Sequence, residues 1–178
     1  MKKQFLLNQA IVNSISAAFQ HAGVYEKGLQ DTDARKKSLR KSLADQLKSI
    51  SAGYVKPVSD DAHCASIAKL ADDLTQEQKS SDFLRDGRFR IGIAQKALNL
   101  YLKYLWCLGD IPVPPHCPID RGIIDQLDIP KQERKKYDWT KLDKIEDYRH
   151  LIGLCCKKAK MGKRESIAEW ELAIWRAN

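Results

Sequence analysis

An all-α fold, one compact multi-helix domain built around a buried central helix at about 92–108, is what this sequence predicts. Apolar residues recur at three- and four-residue spacing in one segment after another, Gly and Pro divide those segments, and no alternating strand pattern competes with them. The 178 residues are 43% hydrophobic and 30% charged, which sustains a packed core and excludes the apolar-poor profile of a disordered chain. No repeat, low-complexity tract or Gly/Ser linker interrupts the pattern, so residues 1–178 read as a single domain.

The elements follow in order. Phe5, Ile11, Val12, Ile15 and Phe19 lie at helical spacing and stop near Gly23, which predicts a first amphipathic helix. Thr32 opens a second, with Leu39, Leu43, Leu47 and Ile50 running to Gly53. Pro57 ends it, residues 59–61 offer caps, and Ile67, Leu70 and Leu74 mark a short third helix. Thr75 with Gln78 has the pattern of a capping box for a short fourth. The stretch 92–108 is apolar on nearly every face, as a helix surrounded by other helices must be, and Gly109 stops it. Four prolines in 111–118 require a stiff, non-helical connection, after which helix resumes around Ile119 until Pro130. Thr140 is placed to cap a long helix carrying Leu142, Ile145, Tyr148, Ile152 and Cys155. Ser166 and Glu169 form a second capping box before Trp170, Ile174 and Trp175, whose spacing puts both indoles on one face.

Five cysteines, an odd number without a C-x-x-C pair, suit reduced thiols in a cytoplasm better than a disulfide framework. No apolar run reaches the ~20 residues of a membrane span, and the amino terminus lacks a signal-peptide pattern, so the expected location is cytoplasmic, with no membrane partner. His116, Cys117, His150, Cys155 and Cys156 lack the spacing of a zinc site, and no metal is expected. The net charge of +8 is unevenly spread. Residues 131–164 hold twelve basic and five acidic side chains, whereas 60–82 hold six acids and two lysines. A basic end of this kind attracts a polyanion, because neutralising phosphates releases counterions.

Chemistry concentrates in one place. Lys96 stands near the start of the otherwise apolar central helix, within Gly92-Ile93-Ala94-Gln95-Lys96-Ala97, and Asp120 follows 24 residues later in Pro118-Ile119-Asp120-Arg121. Burial disfavours a charged amine, which is one route to a neutral lysine able to attack an electrophilic carbon. A carboxylate delivered by a rigid connector could stand opposite it. Asp120 could equally cap the helix that begins there, and the two roles are compatible.

At these residues the chain resembles the helix-hairpin-helix DNA glycosylases, especially the branches that excise 8-oxoguanine. Members carry a hairpin G-x-G-x-K-x-A leading into a buried helix, then a V/I-D motif with an aspartate. The first looks like Gly92 to Ala97 and the second like Ile119-Asp120-Arg121, over about a fifth of the chain. Ala94 replaces the second hairpin glycine, and Arg90-Ile91 stands where Leu-Pro is common. The resemblance implies that Lys96 is the Schiff-base nucleophile and that Asp120 activates the amine and supports positive charge on the sugar. It implies DNA contacts from the hairpin residues Gly92, Ala94 and Gln95, and from Arg121. The basic residues Lys135, Lys136, Lys157 and Lys158 are expected to meet phosphates. His116 and Trp139, in breaker-rich loops, are the candidates for touching an extruded base. The four-cysteine motif of some members is missing, so no iron–sulfur cluster or other cofactor is expected.

Two readings from other classes compete. One is a non-catalytic helical nucleic-acid-binding or adaptor protein, which explains the charge equally well. The other is a protein-docking module using the Trp170 and Trp175 face.

Overall fold

The computed structural model describes residues 1–30, 32–78 and 82–175. Seven α-helices form among them: α1 (Lys2–Phe19), α2 (Asp33–Ser51), α3 (Asp60–Glu77), α4 (Ile91–Cys107), α5 (Arg121–Gln126), α6 (Ile145–Met161) and α7 (Ile167–Ile174). β pairing among the described residues is limited to an isolated antiparallel bridge between Tyr25 and Leu84. None of the described helices is long and apolar enough to cross a membrane.

The central place of α4 follows from its sequence. Ile91, Ile93, Ala94, Ala97, Leu98, Leu102 and Leu105 are buried around most of its circumference, and it packs against α1, α2, α3 and α6. Leu39, Leu43 and Leu47 of α2 and Ile67, Leu70 and Leu74 of α3 are wholly buried against the same core. On α1 the buried face is Ile11, Ile15, Ala18 and Phe19, while Phe5 and Val12 of the expected stripe lie exposed. At the end of α4 the left-handed Gly109 (φ +75°) lets its own N–H reach Trp106 O and the Asp110 N–H reach Leu105 O, each at 2.9 Å.

Three expectations are corrected. Thr75 starts no fourth helix, because it is still inside α3, where its hydroxyl donates to Ala71 O at 2.7 Å and accepts the Phe89 N–H at 3.0 Å. Residues 79–81, into which that helix would have run, lie outside the described residues. Thr140 caps nothing, because its hydroxyl closes a local turn onto Asp138, and α6 begins five residues later at Ile145. Trp170 and Trp175 do not share a helix face: Trp170 is buried, whereas Trp175 follows the end of α7 in extended conformation and is exposed.

The Ser166 capping box is present. Ser166 Oγ accepts from Glu169 N and the Glu169 carboxylate accepts from Ser166 N, both at 3.1 Å. A buried ion pair, Lys103 Nζ to Glu171 Oε2 at 2.7 Å, then fastens α7 onto α4. Burial raises the Glu171 carboxyl above its ordinary range, and the Lys103 ammonium opposes that shift.

Candidate functional site

The start of α4 is assembled by two of its least conspicuous residues. Gly92 is buried, and a Cβ there would stand 1.8 Å from Trp139 O, so only glycine lets the 139–143 turn approach this closely. The turn is held in place by Gly92 N donating to Leu142 O at 2.7 Å. Gln95 does the same for the proline-rich connector. Its Nε2 donates to Ile119 O at 2.6 Å and its Oε1 accepts from Ile119 N at 3.0 Å, so the amide binds the connector as a neighbouring strand would.

Both contacts converge on Lys96, four residues after Gly92 and next to Gln95 in sequence. Docking of the turn puts the Trp139 ring beneath the lysine, with Nζ 4.1 Å from the ring centroid. Clamping of Ile119 brings the next residue, Asp120, alongside, with Oδ2 3.6 Å from Nζ. The lysine side chain is 12% exposed and that of Asp120 40%, so the pair reaches solvent chiefly through the carboxylate. Burial lowers the Lys96 pKa below that of an ordinary lysine, and Asp120 partly restores it. Asp120 Oδ1 is engaged separately as the cap of α5, accepting from Ile123 N at 3.1 Å.

The other expected site residues separate into three groups. Gly92, Ala94 and Gln95 are all buried, and the backbone before them is extended at Arg88 and Arg90. Their contacts are with protein, so the surface contact with DNA expected of a hairpin is corrected to a packing and clamping role. Arg121, Lys135, Lys136 and Lys157 are exposed, and Lys158 is half-buried with an ion pair to Asp128 at 2.7 Å. Arg121 pairs with Asp125 at 3.0 Å and Lys136 with Asp147 at 3.6 Å. His116 is the third case, because it belongs to the core.

His116 is 1% exposed and ends a polar chain that the sequence reading missed. Tyr54 Oη lies 2.6 Å from His63 Nδ1, and His63 Nε2 lies 2.8 Å from Asn99 Oδ1. Asn99 Nδ2 donates to Tyr148 Oη at 3.0 Å and to Cys117 O at 3.1 Å, and Tyr148 Oη lies 2.9 Å from His116 Nδ1. An amide oxygen can only accept, so His63 carries its proton on Nε2 and Tyr54 donates to Nδ1. The Tyr148 hydroxyl accepts from Asn99 and shares its other hydrogen bond with His116 Nδ1. The two imidazoles meet edge to face, with centroids 4.5 Å apart. Burial lowers the His63 pKa to about 3, with His116 adding to the shift. Burial, with the Arg149 charge, lowers that of His116 to about 4. Both rings are therefore neutral at pH 7. A base could not reach His116 without opening this chain of bonds.

One signal for the missed network was present: Gln95 and Asn99, four residues apart, are amides on one face of an otherwise apolar helix. No group of three or more His, Cys, Asp or Glu among the described residues could hold a metal ion. The chain matches no family model, no curated protein and no solved structure.

Proposed function

We propose that the chain acts on nucleic acid as a base-excision enzyme, an N-glycosylase with lyase capacity related to the helix-hairpin-helix glycosylases, in which Lys96 and Asp120 are the reacting pair. The observation that carries this reading is their placement: a lysine amine, largely removed from water, held 3.6 Å from a carboxylate that is itself open to solvent. In this mechanism the Lys96 ammonium passes a proton to Asp120. Its freed lone pair attacks the anomeric carbon of a nucleotide, and the carbon–nitrogen bond to the base breaks with its electron pair leaving on the base. Asp120 then returns the proton to the departing base. Trp139, buried and already covered by Lys96, supports the amine from below rather than stacking on an extruded base.

Borohydride trapping on abasic-site DNA tests the reading. The parent chain is expected to yield a covalent adduct, and Lys96→Gln to yield none while binding the same DNA with nearly unchanged affinity. A parent chain that binds abasic DNA without being trapped would sink the enzymatic reading. The non-catalytic nucleic-acid-binding reading would then stand, supported by the exposed basic residues of α6 and the turn that follows it.

A further inference from the structure

Of the three glycines inside α-helices, Gly92, Gly122 and Gly153, the first and the last are there for different reasons. At Gly92 a neighbouring backbone requires the missing side chain. At Gly153, in the middle of α6 and exposed, a Cβ would meet nothing within 4 Å. An exposed glycine inside a helix is destabilising relative to alanine, and the protein's own packing gives no reason for it.

What surrounds Gly153 supplies one. At 100° per residue, Glu146, Arg149, Gly153, Lys157 and Lys160 fall on one face of α6, all exposed. Lys163 and Arg164 continue it past the helix end. Arg149 is paired with Asp61 at 2.7 Å, but Lys157, Lys160, Lys163 and Arg164 have no acidic partner among the described residues. Before Gly153 the face is balanced by Glu146 and the Arg149–Asp61 pair; from Gly153 onward it is a cationic strip with a bare stretch of backbone at its start. A membrane-surface helix would present bulky apolar side chains beside its cations. Beside Gly153 this face offers Glu146, His150 and the half-buried Cys156, and a bulky exposed apolar side chain comes in at the helix end with Met161.

We infer that the C-terminal half of this face of α6 is the surface on which a nucleic-acid duplex lies, with Gly153 allowing the sugar–phosphate backbone to approach the helix and Lys157, Lys160 and Arg164 meeting the phosphates that follow on its C-terminal side. The inference rests on the nucleic-acid reading above but not on the chemistry of Lys96. It also shifts the expected phosphate contacts, because Lys136 and Lys158 are engaged with Asp147 and Asp128.

The test is binding to an undamaged duplex across a salt series, with thermal midpoints measured in parallel. Gly153→Leu is expected to raise the midpoint by roughly 1–4 °C, since leucine favours helix, and to weaken binding at least tenfold. Changing Lys157, Lys160 and Arg164 together to Gln should lower the salt slope by about 0.9 for each side chain that meets a phosphate. If Gly153→Leu binds as tightly as the parent, the close approach is wrong. If the parent prefers anionic vesicles or an acidic polypeptide to the duplex, the partner is wrong. Trapping by the parent together with unchanged affinity in both variants overturns this face alone. Weakened binding in both without trapping leaves the face standing and removes the enzyme.

Discussion

At Asp120 one carboxylate carries two duties on two oxygens, the cap of α5 on Oδ1 and the partner of Lys96 on Oδ2. Asparagine caps a helix about as well as aspartate does, so Asp120→Asn removes the charge and keeps the cap. Lys96 is lowered by burial and held up by Asp120, so loss of that carboxylate moves the amine further down. Borohydride trapping by Asp120→Asn is therefore expected to be slower than in the parent and to reach half its maximum at a lower pH. An unmoved or raised profile would show that the two groups are uncoupled. Lys96, Asp120 and Trp139 could be singled out in the sequence because residue type and local spacing mark them. The work of Gly92 and Gln95 could not, because what a missing Cβ admits or a buried amide binds depends on chain 24 to 50 residues away.

Among the helices, local chemistry was readable where it was decided locally. Ser166-x-x-Glu169 and Thr75-x-x-Gln78 are the same pattern, yet only the first is a cap. Ser166 follows a turn and takes extended backbone (φ −137°, ψ 160°), leaving its hydroxyl free to turn toward Glu169. Thr75 comes after four continuous turns of α3, and its hydroxyl is taken by Ala71 O before a cap could form. Spacing shows that a cap is possible but not whether a helix is already running. Ser166→Ala is accordingly expected to cost about 1 kcal/mol, a drop of roughly 2–4 °C in the thermal midpoint. An unchanged midpoint would mean that the buried Ile167 and Trp170 and the Lys103–Glu171 pair hold α7 without the cap.

For the molecule as a whole, the all-helical class and the central α4 were legible because burial around most of a helix leaves its mark in composition, while the polar chain through the core left only two amides and scattered rings. That chain gives the fold a sensitivity to acid. Unfolded, His63 and His116 take up protons near pH 6.5; folded, they resist until about pH 3 and about pH 4. Below pH 6.5 the unfolded state binds more protons, so stability falls with pH at a slope approaching about 1.4 kcal/mol per unit for each histidine. Asp60, 3.6 Å from His116 Nε2, and Arg149 are the charged groups beside the rings. Denaturant midpoints measured between neutral pH and pH 4 should fall more steeply for the parent than for His116→Gln, and parallel curves would refute the assignment. The far end of the proline connector is fastened twice, by Asn99 at the Cys117 carbonyl and by Gln95 at both polar groups of Ile119. Its length upstream is thereby uncoupled from the position of Asp120. Residues inserted at the exposed Val113 are expected to leave the carboxylate beside Lys96, whereas one inserted after Ile119 is expected to carry it away. The count of residues between lysine and aspartate is thus not what sets their pairing; the amide next to the lysine is, because it holds the residue that precedes the aspartate.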